Sequence, residues 1–244
     1  MPVSSVSPGQ PAPTVAAEER ARSPHLYSPA PDTWDEMIAA DGSVRPHWQA
    51  FADFMAGTSP AQWESRGTAI ARLLEDHGVT YNIYSDNQAS RSGVRPWVLD
   101  SIPFILAEAE WKEVAAGLQQ RARLLNAILG DIYGPQRLMR EGWLPPALIF
   151  ANPGYMRAAC GVMPAGDSFL ISHGTDLVRG PGGSWMVLAD RAQAPSGKGY
   201  SLENRNIMAS VLGEVFESSN VRGLTGFFEE ERDSLRFLAP TRRG

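Results

Sequence analysis

The chain has 244 residues, 43% of them hydrophobic and 20% charged, with a formal net charge of −5. It is long enough to bury a substantial core in one large domain or two small ones. The acidic balance argues against a surface for the phosphate backbone of nucleic acid, while leaving room for a small basic nucleotide pocket.

The single cysteine, Cys160, excludes an intrachain disulfide and a multi-cysteine zinc site. It fits a reducing compartment, with the cytoplasm as the default. No apolar run approaches the roughly 20 residues that span a bilayer, and the first thirty residues contain no signal-peptide block. The four histidines, His25, His47, His77 and His173, are scattered without the helical spacing of metal ligands.

Residues 1–31 are rich in Pro, Ser and Ala and nearly devoid of large apolar side chains, which predicts a disordered leader. Order is expected from "TWDEMIAADG", where Thr33 and Glu36 have capping-box spacing for a short helix ended by Gly42. A second helix is predicted over 46–56 through Trp48, Phe51, Phe54 and Met55. A third follows with Ser59 as N-cap, Pro60 at its first position, Gln62 completing the box and Gly78 as its stop. "VTYNIY" (79–84) and "VRPWVLD" (94–100) carry strand-type residues around a polar connection and predict a hairpin.

The longest helix is expected from about 107 to 129, with Trp111, Val114, Leu118, Ala122, Leu125 and Leu129 on one stripe, Arg121 and Arg123 off it, and Gly130 ending it. "PQRLMREG" predicts a short helix, "LPPALIFAN" an extended segment and "PGYMRAAC" a helical turn or two. Strands over 168–180 and 184–193 are joined by "GPGG", which is hairpin chemistry. A helix through "LENRNIMASVLGEVF" is predicted to turn Leu202, Ile207, Val211 and Val215 inward, and a last one spans "LTGFFEEERDSLRFLA". Helices outnumber strands, the strands come in adjacent runs and no repeat is present, so the class is α+β.

The stretch densest in chemistry is "APSGKGYSLENR", 194–205. It lacks the spacing of a phosphate-binding P-loop, since Gly199 follows Lys198 where that loop needs Ser or Thr. A glycine turn from strand to helix is the simpler account. Its placement after a strand ending in Asp190 adds a functional one. Backbone N–H groups at the helix start with Lys198 could hold an anion, and Asp190 with Asn204 could hold magnesium through oxygen. Glu203 in the expected first turn could equally serve as a dipole-compensating cap. Asp176 and Arg179 suit a surface pair, Tyr81 and Asn82 ordinary strand positions, the early tryptophans packing, and Cys160 a small buried residue rather than a nucleophile. No GxSxG elbow or HExxH pair occurs.

Six ordered stretches, "WDEMIAADGSVRPHW", "GVTYNIY", "RPWVLDSIPFIL", "LLNAILGDIYGPQRL", "DLVRGPGGSWMVLADRAQAPSGKGYSLENR" and "LRFLAP", together resemble the N-terminal part of circularly permuted ATP-grasp proteins of type 2, over residues 32–240. The resemblance implies a helical N-terminal portion followed by a partial, circularly permuted ATP-grasp-like sheet and helices, with 241–244 as a tail. It implies ATP and Mg2+ as cofactors, and a carboxylate–amine ligase that works through an acyl phosphate. It also implies unknown carboxylate and amine substrates, while the net charge and the lack of a spanning apolar run argue against nucleic acid and membrane as partners.

The family's strand-end pattern of an acid, Asp and Asn reads here as Ala189, Asp190 and Arg191. The implied metal ligands are therefore Asp190, Glu203 and Asn204, and the implied phosphate contacts are Ser196, Gly197, Lys198, Arg205 and Arg191. No catalytic residue is assigned. The missing acid and amide favour, as the alternative, a non-catalytic binding or scaffold module derived from such a ligase. The resemblance covers only the first part of such proteins, so the chain is expected to be a truncated piece, inactive alone, or one that works with a second polypeptide supplying the rest of the fold.

Overall fold

The computed structural model describes residues 27, 29–82 and 94–239. The expected leader lies outside this range except for Tyr27 and residues 29–31, as do the connection 83–93 and the tail from residue 240. In chain order the helices are α1 (Gln49–Gly57), α2 (Pro60–Asp76), α3 (Glu108–Tyr133), α4 (Arg137–Arg140), α5 (Pro146–Phe150), α6 (Lys198–Val211), α7 (Gly213–Ser218) and α8 (Thr225–Leu238). The strands are β1 (Thr80–Asn82), β2 (Val94–Pro96), β3 (Gly174–Arg179) and β4 (Trp185–Arg191). They form two separate two-stranded antiparallel sheets, β1 with β2 and β3 with β4. Helix thus dominates an α+β architecture.

The chain divides into two compact units, one of residues up to Ile105 with Met208–Ser219, the other of Leu106–Ile207 with Asn220 onward. In the first, the capping box at α2 forms as its sequence predicts. The Ser59 hydroxyl accepts from the Gln62 backbone N–H, and the Gln62 side-chain oxygen accepts from the Ser59 N–H at 2.8 Å. Gly78 follows the helix at φ +65, the left-handed stop expected of glycine. Phe51 of α1 is fully buried, edge-on to Trp48 and Trp63 at 5.8 and 6.3 Å between ring centroids. Its burial contributes about 2–3 kcal/mol by area transfer. Ile70 and Leu74 of α2 and Met208, Leu212 and Val215 are buried in the same unit, where α1 packs against α7.

The expected helix at "TWDEMIAADG" is absent. The Asp35 carboxylate instead accepts from the backbone N–H groups of Met37 and Ile38 at 2.9 and 2.6 Å. This Asx-type turn competes with helix, and Ile38 bridges to Val44. Tertiary burial of Met37 and Ile38 holds it.

In the second unit α3 runs past Gly130 to Tyr133. A Cβ on Gly130 would meet the Phe169 ring at 3.1 Å, so this glycine lets a ring approach the helix rather than ending it. Gly134 ends the helix. The Asp131 carboxylate then accepts from the N–H groups of Arg137 and Leu138, both at 2.9 Å, opening α4. The "LPPALIF" stretch, expected to be extended, forms α5 with Pro146 in its first turn. The helix expected through 202–216 begins earlier, at Lys198, and breaks at Leu212. Cys160, expected to be buried, is exposed, with the Tyr155 hydroxyl 2.9 Å from its sulfur. No helix among the described residues is long and apolar enough to cross a membrane.

Candidate functional site

The β3–β4 hairpin turns through "GPGG", with Gly183 at φ +82 and the Gly180 N–H donating to the Ser184 carbonyl at 2.9 Å. The strand over 168–180 is shorter than its sequence suggests, starting at Gly174. Register pairs Arg179 with Trp185, Leu177 with Val187, Asp176 with Ala189 and Thr175 with Asp190, so Leu188 is an extra residue in a bulge. A bulge changes which side chains share a face. Without it Asp190 would lie on the face opposite Trp185 and Val187. With it, Thr175, Leu177, Arg179, Trp185, Val187 and Asp190 share one face, and Asp176, Ala189 and Arg191 occupy the other.

The first face meets α3 at two anchors. At one end Arg121 grips Asp190 bidentately, with Nε 2.8 Å from each carboxylate oxygen and Nη2 2.5 Å from Oδ2. His173 Nε2 lies 2.9 Å from Oδ1, and the Thr175 hydroxyl stands 3.3 Å from the same imidazole nitrogen. The Arg121 guanidinium, with a further contribution from His173, holds the Asp190 carboxyl well below its ordinary value, at about 2, and the same pair raises Arg121. At the other end Glu110 Oε1 accepts from Arg179 Nη1 at 2.5 Å and from the Trp185 indole N–H at 2.9 Å. Arg179 also donates to the Gly183 carbonyl at 2.8 Å and lies 4.0 Å over the Trp185 ring. Glu110 and Arg121 stand three helical turns apart, about 16 Å along α3, which matches the rise of the strands between the anchors. Asp176 and Arg179, expected as a pair, point to opposite faces, and Asp176 pairs instead with Arg191 at 2.8 Å.

Beyond β4, Pro195 returns against the start of β3, where a Cβ on Gly174 would meet it at 3.2 Å. Gly197 then adopts φ +103, a conformation suited to glycine, and α6 begins. Ser196 and Gly197 are exposed and Lys198 is half-buried. Lys198 is ion-paired with Glu231 of α8.

Because the helix starts at Lys198, Glu203, Asn204 and Arg205 lie in its second turn rather than its first, so Glu203 is no N-terminal cap. Arg205 donates to the Arg222 carbonyl at 2.7 Å. The partners that pattern alone missed are Arg121, His173, Thr175, Glu110 and Glu231. Of these only Glu110 and Arg121 carry a signal, opposite charges spaced to share one side of a long helix.

Magnesium needs converging oxygen ligands. At the end of β4 both Asp190 oxygens face a guanidinium, the neighbouring imidazole takes a further position, and Asp176 is turned away to Arg191. Among the described residues no group of three or more His, Cys, Asp or Glu side chains converges to hold a metal. The donor set at this strand end does not fit a magnesium ion.

The chain matches, at 38% identity over 212 residues, an uncharacterized protein of Mycobacterium tuberculosis, covering 85% of this chain and 24% of that protein. An uncharacterized protein of Synechocystis is 34% identical over 214 residues, 88% of this chain and 44% of its own length. One of Mycobacterium leprae is 31% identical over 216 residues, 88% and 37% respectively. The chain therefore spans a quarter to under half of the length of these relatives. The family model described as circularly permuted ATP-grasp type 2 matches residues 103–244, which takes in α3, the β3–β4 hairpin, the glycine turn and α6. With that match over more than half of its residues, the chain belongs to the circularly permuted ATP-grasp type 2 family.

Proposed function

We propose that this chain is part of an ATP-dependent carboxylate–amine ligase of the cytoplasm. The observation that carries the reading is the family match over residues 103–244. In the reaction a carboxylate oxygen attacks the γ-phosphorus of ATP as the bond to ADP breaks. An amine nitrogen then attacks the acyl carbon, phosphate leaves and the nitrogen gives up a proton. Such transfer depends on fixed cations and dipoles around the phosphoryl oxygens.

In this reading the phosphate contacts are Lys198 with the Ser196–Gly197 turn, supported by Arg205 and Arg191, and Lys198 exchanges the Glu231 carboxylate for phosphate. Of the three positions implied for magnesium, Glu203 and Asn204 remain as oxygen donors while Asp190 is engaged by Arg121. The remainder of the cleft comes from further polypeptide. Titration calorimetry of the complete-length protein that contains this chain, with ATP in the presence and absence of magnesium, is expected to give binding that Lys198→Ala weakens at least tenfold. A folded, complete-length protein that yields no heat with ATP and magnesium rejects the nucleotide reading.

A second reading, a non-catalytic module derived from such ligases, is favoured by one observation: Arg121 with Asp190 and Arg191 with Asp176 neutralise the hairpin's own carboxylates. It is supported if ATP does not bind and if the paired Ala189→Glu and Arg191→Asn replacements create no binding.

A further inference from the structure

We infer that Asp190 is the closing element of an electrostatic latch that fastens the β3–β4 hairpin to α3, and that this latch excludes divalent cations from the strand end. The inference stands apart from the ligase reading, because it concerns what Asp190 binds whether or not ATP is handled nearby.

Three observations meet in it. The Leu188 bulge turns Asp190 onto the face that carries Thr175, Arg179 and Trp185, so the carboxylate is aimed at the long helix. There Arg121 takes both carboxylate oxygens with parallel N–H donors, and His173, only 10% exposed, fills a further position on Oδ1. The carboxylate itself is 18% exposed, which leaves little room for a hydrated ion. A magnesium-sized cation bonded to either oxygen at about 2.1 Å would stand beside the guanidinium. Arg121 is 41% exposed, so water screens part of the repulsion, but the two positive charges would still compete for one anion. Cation and Arg121 are therefore mutually exclusive on Asp190, and the bidentate Arg121 pair, already in place, wins.

Mn2+ alone is the probe, because it prefers the same oxygen donors and broadens nuclear resonances near it. The complete chain, labelled with 15N, is titrated while the His173 ring signals are followed, assigned by their loss in His173→Gln. An ion on Asp190 would lie within hydrogen-bonding range of that imidazole and erase them. The expected result is that the His173 signals survive about 1 mM Mn2+, the weak end of protein sites for hard cations. In Arg121→Met, which frees the carboxylate, they should vanish at a concentration at least tenfold lower. Wild-type signals that disappear below that concentration, and persist in Asp190→Asn, would overturn the inference. That comparison needs no Arg121 variant, so it decides the matter even if Arg121→Met does not fold.

Discussion

Replacing Glu110 by alanine removes the anchor at the turn end of the hairpin. Arg179 is 7% exposed and Glu110 28%, so the variant removes the carboxylate that accepts from a nearly buried guanidinium and from the Trp185 N–H. Breaking a buried pair from one side costs about 3–5 kcal/mol. Two features lower that figure. The partial exposure of Glu110 lets water reach the vacated position, and Arg179 retains the Gly183 carbonyl at 2.8 Å and the face of Trp185 at 4.0 Å. The expected loss is about 2–3 kcal/mol, a fall in Tm of about 4–12 °C for a chain of this size.

Guanidinium unfolding of the chain at neutral pH, followed by tryptophan fluorescence and by circular dichroism, measures it. Glu110→Gln, which keeps an oxygen acceptor and loses the charge, should cost about half as much. Glu108 lies on the same helix and makes an exposed i,i+4 pair with Lys112 at 2.7 Å, so Glu108→Ala should leave the midpoint unchanged. If Glu110→Ala unfolds within about 0.5 kcal/mol of wild type, the desolvation cost of the pair cancels its attraction, and the anchoring argument fails.

The Asp190 latch has a pH signature whose sign follows from its carboxyl being held below the ordinary value of 3.8, at about 2. Its stabilisation is complete above the unfolded-state value and is lost as pH falls through the folded-state one. Asp190→Asn should therefore lower Tm by a few degrees near neutrality, with the gap closing as the pH is taken from about 4 to 2. A gap that stays constant over that range, measured by scanning calorimetry, would assign the loss to something other than charge. Gly117 inside α3 and Gly134 just past its end should behave oppositely. A Cβ at Gly134 would meet the Gly130 carbonyl oxygen at 2.6 Å, whereas one at Gly117 meets nothing within 4 Å. Gly134→Ala should destabilise by about 1–3 kcal/mol and Gly117→Ala stabilise by about 0.5–1 kcal/mol, both read from denaturant midpoints.

Local chemistry was legible wherever a segment's neighbours in sequence are also its partners in space. Ser59, Pro60 and Gln62 open α2, Gly78 closes it and "GPGG" folds the second hairpin, because caps and tight turns are decided within a few residues. Val114, Leu118, Ala122, Leu125 and Leu129 of the α3 stripe are half-buried, while Trp111 at its start is exposed; this stripe was visible for the same reason, as was the family from six ordered stretches. The tertiary structure alone decided the rest. Asp35 accepts two backbone N–H groups and replaces a predicted helix, and Gly130 admits Phe169 rather than stopping one. Lys198 begins α6 early enough to carry Glu203 into the second turn. Most consequentially, one extra residue at Leu188 rotates Asp190 toward Arg121, 69 positions away in sequence. Strand periodicity cannot register a bulge, and the charges that Glu110 and Arg121 set on one side of α3 do not name their partners on a distant strand, which packing chooses rather than spacing.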